Sequence, residues 1–172
     1  SEPGRVAEAA SRMQLRHVVV TAVARDDVQD GGAAHFARTI QAIRERSPSM
    51  IIEVLTPDFL LKTAAIDCVL EAKPHIFNHN METVRRLTPA VRSRAKYDRS
   101  LAVLEMVRRR ASYRVYTKSG LMLGLGEQEN ELLDTMHDLR SVDCDILTLG
   151  QYLQPTLKHL PVQEFVSPER FD

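Results

Sequence analysis

Carboxylates, amides and glycines gather at five places in this chain, each directly after a short apolar run. The first is Arg25-Asp26-Asp27 followed by Asp30-Gly31-Gly32, and the second is Pro57-Asp58. The third is Asn78-His79-Asn80-Met81-Glu82-Thr83, the fourth Gly124-Leu125-Gly126-Glu127, and the fifth Gly150-Gln151-Tyr152. Such a set suits a polar ligand carrying hydroxyls and an ammonium, and suits a phosphate cluster poorly. Each cluster also has a plainer reading. Asp30 is a good helix N-cap with Gly31 and Gly32 supplying the turn. A lone Gly124-x-Gly126 pair is weak evidence for phosphate binding. Glu127 could simply favour a first helical turn through the macrodipole.

Other reactive side chains form no constellation. His79 stands between two asparagines, but no second His or Cys stands at ligand spacing, so it reads as a structural histidine. His17, His35, His75, His137 and His159 are scattered. Lys118 alternates with Gly120 and Met122 along an apolar run, where a lysine can form a Schiff base or an ion pair. Cys68 and Cys144 are far apart and read as packing residues. No order of Ser, His and Asp forms a nucleophilic triad.

These clusters need elements to hold them. Residues 17–23, 50–55, 75–78, 115–124 and 145–149 read as strands, the first apolar enough to be covered on both faces. Helical stretches alternate with them: 5–13, a stretch carrying Phe36, Ile40 and Ile43, then 63–72, 81–87, 97–110 and 127–140. The last turns Leu132, Leu133, Met136 and Leu139 inward. Residues 151–172 are punctuated by prolines and read as loop. Strands separated by helices predict an α/β fold of parallel strands with right-handed crossovers, as an open doubly wound sheet or a partial barrel. In either, ligands sit at the carboxyl ends of the strands, where the five clusters fall. Helix 5–13 reads as the crossover after a strand that precedes this chain.

Composition narrows the class. Of 172 residues, 44% are hydrophobic and 27% charged, enough for one domain with a real core. Twenty-three basic residues balance 23 acidic ones, so no global field draws nucleic acid or an anionic membrane. No apolar run approaches the roughly 20 residues of a membrane span. The first residues, SEPG, lack signal-peptide form, and two distant cysteines suit a reducing compartment.

The segment GLMLGLGE at 120–127 resembles the Gly-x-Ile-x-Gly-x-x-Glu signature of radical S-adenosylmethionine enzymes. With VVVTAVARDDVQDGGAAHFARTI, IEVLTPDF, FNHNMETVRRL, YDRSL and DILTLGQYLQPTLKHLPV, residues 5–172 resemble the lipoyl synthases. The resemblance implies a partial (β/α)6 TIM-like barrel, its first strand missing here, with residues 1–172 forming the barrel core. It implies S-adenosylmethionine on a 4Fe-4S cluster, cleaved to a radical that abstracts hydrogens from a protein-bound octanoyl chain. A second 4Fe-4S cluster donates two sulfur atoms. The implied partners are octanoylated lipoyl carrier domains of dehydrogenase-complex acyltransferase subunits and of the glycine cleavage H protein. A flavodoxin or ferredoxin would donate electrons, in the cytoplasm, or in the mitochondrion if the source is eukaryotic.

Carried onto this sequence, the resemblance puts Asp26, Asp27 and Asp30-Gly31-Gly32 at the cofactor's amino and carboxylate groups. Asn78 and Glu82 fall on the ribose-contacting strand, and Gly120, Gly124 and Glu127 at the adenosyl moiety. Gln151 and Tyr152 fall at the adenine edge, and Lys118 faces the cofactor or the octanoyl carrier. The family's Cys-x-x-x-Cys-x-x-Cys motif, its earlier cysteine motif and its closing Arg-Ser-Ser-Tyr segment have no counterpart among the 172 residues. The expectation is a fragment inactive alone. The alternatives are a truncated, non-catalytic paralogue binding a nucleoside or a lipoyl carrier, and an unrelated aldolase using Lys118.

Overall fold

Strand β1 (His17–Thr21) is built from consecutive β-branched residues, and β2 (Ile51–Leu55) and β3 (Ile76–Asn78) follow it in the sheet. With β4 (Tyr116–Leu123) and β5 (Ile146–Gln151) they pair in the order β1-β2-β3-β4-β5, every neighbour parallel. The computed structural model describes residues 1–25 and 27–171. Sequential order decides between the two sheet forms open to the sequence. A doubly wound sheet reverses direction at a switch point, whereas right-handed crossovers that never reverse wind a barrel wall.

The helices joining these strands are α1 (Glu2–Arg12), α2 (Ala33–Arg46), α3 (Thr63–Glu71), α4 (Thr88–Val91), α5 (Tyr97–Arg110) and α6 (Glu129–Ser141). Ile40 and Ile43 of α2, Ile66 and Val69 of α3, and Val103 and Val107 of α5 are buried in one cluster with Ile52, Val54 and Phe77 of the sheet. Burying each such side chain contributes about 1.5–3 kcal/mol before entropy is counted. A second cluster, Met81, Tyr97, Leu104, Leu121, Leu139 and Cys144, fills the space under α5 and α6. Because Ile52, Val54 and Phe77 face the helices, the pleat turns Glu53 and Asn78 to the inner face.

Four expectations are corrected. β1 is not covered on both faces: it pairs with β2 alone among the described residues, and Val19 is 49% exposed. Residues 81–87 are not a helix; Glu82 instead bridges Leu121 in parallel, extending the β3–β4 pairing, and the helix starts at Thr88. The helical spacing of Met81, Val84 and Thr88 arises because all three are buried, although only Thr88 lies in a helix. On α6, Leu133 faces out at 49% exposure and Thr135 is buried in its place, its hydroxyl donating to the Glu131 carbonyl. Cys68 is only partly buried, at the margin of the main cluster.

Candidate functional site

A cleft of about 610 Å³ opens at the carboxyl ends of β1, β2 and β3. Thr21, Thr56, Asp58, Asn80, Glu82 and Arg92 line it together with Asp27 and Arg99. Glu82 holds a backbone φ of +67°, a left-handed conformation that non-glycine residues adopt at a cost and that concentrates at functional positions. Flanking hydrogen bonds impose it: Glu82 N donates to the Gly120 carbonyl at 2.9 Å, and Met122 N donates to the Glu82 carbonyl at 2.8 Å. Asn80 Nδ2 donates to Glu82 Oε1 at 3.1 Å. A Cβ at Gly120 would meet Asn80 Oδ1 at 2.9 Å, so the bare glycine lets Asn80 lie across β4. The motifs FNHNMET and TKSGLMLGLGE therefore interlock through backbone and side chain.

Arg92, Arg94 and Arg99 furnish the cleft's positive charge. Arg92 donates from Nη1 to the carbonyls of Asn80 (2.9 Å) and Met81 (3.4 Å) and to Ser100 Oγ (3.2 Å). Burial pulls its pKa down from the usual guanidinium value. Arg99 pairs with Asp58 at 2.7 Å. His79, 1% exposed, contacts the Thr56 carbonyl through Nδ1 (2.9 Å) and Ser100 Oγ through Nε2 (3.0 Å). Burial lowers its pKa to about 4, keeping it neutral as the structural histidine expected from sequence.

The other expected site residues are spread further. Asp27 lines the cleft but pairs with Arg25 at 2.7 Å, and the Arg25 hydrogen bond holds its carboxyl below the usual range. Asp26 lies outside the described residues. Asp30 lies two residues before Gly32, the N-cap position of α2, so it is not the N-cap residue itself; its carboxylate still serves the helix start, accepting from Gly32 N at 3.0 Å and Ala34 N at 2.8 Å. Gly31 (φ +62°) and Gly32 (φ +88°) complete this turn beside a separate cavity of about 340 Å³. Gly124, Glu127, Gln151 and Tyr152 do not line the large cleft; they lie at the carboxyl ends of β4 and β5, whereas the cleft opens over β1, β2 and β3. Glu127 closes the Gly124–Leu125 turn. Gln151 Nε2 donates to the Glu164 carbonyl at 3.1 Å, its Oε1 accepts from Val166 N at 2.8 Å, and Tyr152 Oη donates to the Leu160 carbonyl at 2.9 Å. Both side chains tie down the tail.

Asn78 and Lys118, neighbours in register, meet on the inner face. Both donate to Glu53 Oε1 at 2.9 Å. Sequence reasoning misses Glu53, although a lone carboxylate inside the run IIEVL is a usable signal. Arg92 and Arg99 give no such signal, because a basic stretch is ordinarily a solvated face.

Parallel strands in sequential order with a polar cleft at their carboxyl ends define a partial TIM-type barrel. The family model for the radical SAM superfamily matches residues 1–139, and this chain belongs to that superfamily. The crystal structure of methylornithine synthase (PylB) superposes with a TM-score of 0.69 at 13% identity, over 95% of this chain and 46% of that one. Coproporphyrinogen III oxidase (HemN) from Escherichia coli, described as a radical SAM enzyme, gives 0.65 at 13% identity, over 97% of this chain and 41% of that one. At such identity the likeness speaks for the fold. The chain spans less than half the length of either protein.

The superfamily implies S-adenosylmethionine and a 4Fe-4S cluster. The described residues do not fit the cluster, which is held by several thiolates. Cys68 on α3 and Cys144 before β5 are the only cysteines, and burial raises both thiol pKa values. No group of three His, Cys, Asp or Glu gathers for a metal among the described residues. The cleft does suit a nucleoside carrying charged groups, since it offers carboxylate, amide and guanidinium together. Nor is any helix among the described residues long and apolar enough to cross a membrane.

Proposed function

We propose that residues 1–172 form the barrel core of a lipoyl synthase, a radical SAM sulfurtransferase that inserts two sulfur atoms into a protein-bound octanoyl chain. The observation that carries this reading is the interlocking of FNHNMET with TKSGLMLGLGE through Glu82, Gly120 and Asn80 beside the cleft. The combination of these motifs with GQYLQPTLKHLPV is the most specific part of the resemblance to the lipoyl synthases. S-adenosylmethionine, when bound, supplies the hydrogen-abstracting chemistry. The chain's own part is to bind and orient it: Glu82 and Asn78 toward the ribose hydroxyls, Asp27 toward the amino group. Lys118 faces the cofactor or the octanoyl carrier. The partners are octanoylated domains of dehydrogenase-complex acyltransferases or the glycine cleavage H protein, with a flavodoxin or ferredoxin as electron donor. The compartment is the cytoplasm, or the mitochondrion in a eukaryote.

The test compares this 172-residue chain with a version extended by the family's cysteine-bearing segments. Both are reconstituted anaerobically with iron and sulfide, then given S-adenosylmethionine, a reductant and an octanoylated carrier. The chain alone is expected to hold no stable 4Fe-4S cluster, read by iron content and visible absorption. The extended protein is expected to yield lipoylated carrier, read by intact mass. Deoxyadenosine without sulfur insertion would keep the superfamily and reject the lipoyl synthase. A carrier or nucleoside bound with no turnover by the extended protein would favour the non-catalytic paralogue.

A further inference from the structure

One buried carboxylate organises the inner face of the sheet. Glu53 is 1% exposed between Ile52 and Val54, both fully buried. Its Oε1 accepts from Asn78 Nδ2 and from Lys118 Nζ, each at 2.9 Å. His17 Nε2 lies 3.1 Å from Oε2 but out of line for a hydrogen bond, and Oε2 is left without one. A charge here is not what the sheet needs. Replacing a buried ion pair by apolar residues of similar shape is often neutral or stabilising, so the pair calls for another use.

The chemistry of the groups fixes their orientation. A carboxylate only accepts, so the Asn78 amide must turn its NH₂ toward Glu53. Its carbonyl oxygen, Oδ1, then faces away, buried and without a partner. A buried acceptor left unmade is costly, and a donor brought by a ligand removes that cost. Were Glu53 apolar, the amide could flip and offer a donor instead.

We propose that Glu53 is a positioning residue for ligand recognition. It locks the Asn78 amide so that the inner face presents an acceptor to a hydroxyl or amide N–H of the ligand, with the Lys118 ammonium held alongside. The inference rests on the reading above, in which two ligands carry such donors: the ribose of S-adenosylmethionine and the amide joining octanoate to a carrier lysine.

Three variants test it: E53Q, E53M and the charge-free pair E53M/K118M, with K118M as control. The glutamine of E53Q still accepts through its carbonyl, so this variant is expected to bind within about twofold of wild type. E53M is expected to weaken binding about tenfold, the worth of one hydrogen bond. Calorimetric titration with S-adenosylmethionine and, separately, with an octanoyl-lysine peptide identifies which ligand brings the donor. E53M/K118M removes both buried charges and retains the fold should E53M alone not fold; it is expected to bind more weakly than K118M. Side-chain NMR of ¹⁵N-labelled protein reads the amide directly, a shifted and protected Asn78 NH₂ pair surviving in E53Q and lost in E53M. Equal dissociation constants for E53M and wild type would overturn the proposal, as would E53Q binding as weakly as E53M. Wild type binding neither ligand would count against the proposed function. The NMR comparison would still decide whether Glu53 fixes Asn78.

Discussion

Glu127 folds back on Gly124: its Oε1 accepts the Gly124 backbone N–H at 2.6 Å, and its Oε2 accepts that of Leu125 at 2.9 Å. The last residue of GLMLGLGE thus closes the turn that leaves β4, before α6 begins at Glu129. Gly124 has φ +93°, and a Cβ there would meet the Glu164 carbonyl at 2.2 Å. The turn and the tail lock each other.

Glu127→Ala therefore leaves two backbone donors without their partner. Hydrogen bonds to a charged group contribute about 1.5–3 kcal/mol each when buried, and partial exposure brings the expected loss to about 1–2 kcal/mol in total. Urea denaturation measures it. Gly124→Ala is expected to free the tail as well, read as faster proteolysis at residues 160–166 with the core transition retained.

Burial of neutral His79 makes stability depend on pH. Its folded pKa, about 4, lies below the unfolded value of about 6.5, so the unfolded chain binds the extra proton between them. The contribution is fully present above pH 6.5 and is lost as pH falls toward 4, to an extent of about 3 kcal/mol. His79→Gln should flatten the stability curve across that window. An unchanged slope in thermal melts at pH 4 to 7 would show that His79 is not the group responsible.

Glu82 separates ligand contact from local structure. Glu82→Ala, in protein carrying the cysteine segments, is expected to weaken S-adenosylmethionine binding by about one to two decades while iron content stays intact. Glu82→Gly removes the same carboxylate but relieves the strain at φ +67°. The two variants should bind equally weakly, while the glycine variant is the more stable. Wild-type affinity in both would take Glu82 out of the site.

The free edge of β1 predicts self-association of the 172-residue chain. Among the described residues β1 pairs with β2 alone, and the half-exposed Val19 lies on it. Sedimentation velocity should show concentration-dependent association, reduced by Val19→Lys. A monomer at every concentration would contradict this.

Much of the fold was legible because its signals are local. β-branched runs and helical periodicity marked all five strands and the long helices, since each needs only its own residues to show which face is apolar. The short segment 81–87 misled for the same reason. Its buried positions fall at helical spacing, yet Glu82 is captured by Leu121, 39 positions along the chain, through a pairing no local pattern encodes. Leu133 reads as inward by periodicity, but α6 buries Thr135 and Leu139 instead, because which face of a helix is covered is settled by what packs on it.

The sequence by itself determined the superfamily, the α/β class and the rim that carries the polar residues. Motif residues are fixed in type by chemistry, and strands are fixed in place by hydrophobic pattern. Only the tertiary structure decided which of those residues share a cleft and which serve the frame. Asp30 came to hold the first turn of α2 from outside the helix, and Gln151 and Tyr152 became tethers for the tail, because backbone donors and acceptors nearby had to be satisfied. Glu53, the lone carboxylate of its strand, became the centre of the inner face. Three strands brought Asn78, Lys118 and His17 to one buried carboxylate, and a buried charge must be met by whatever the fold places beside it.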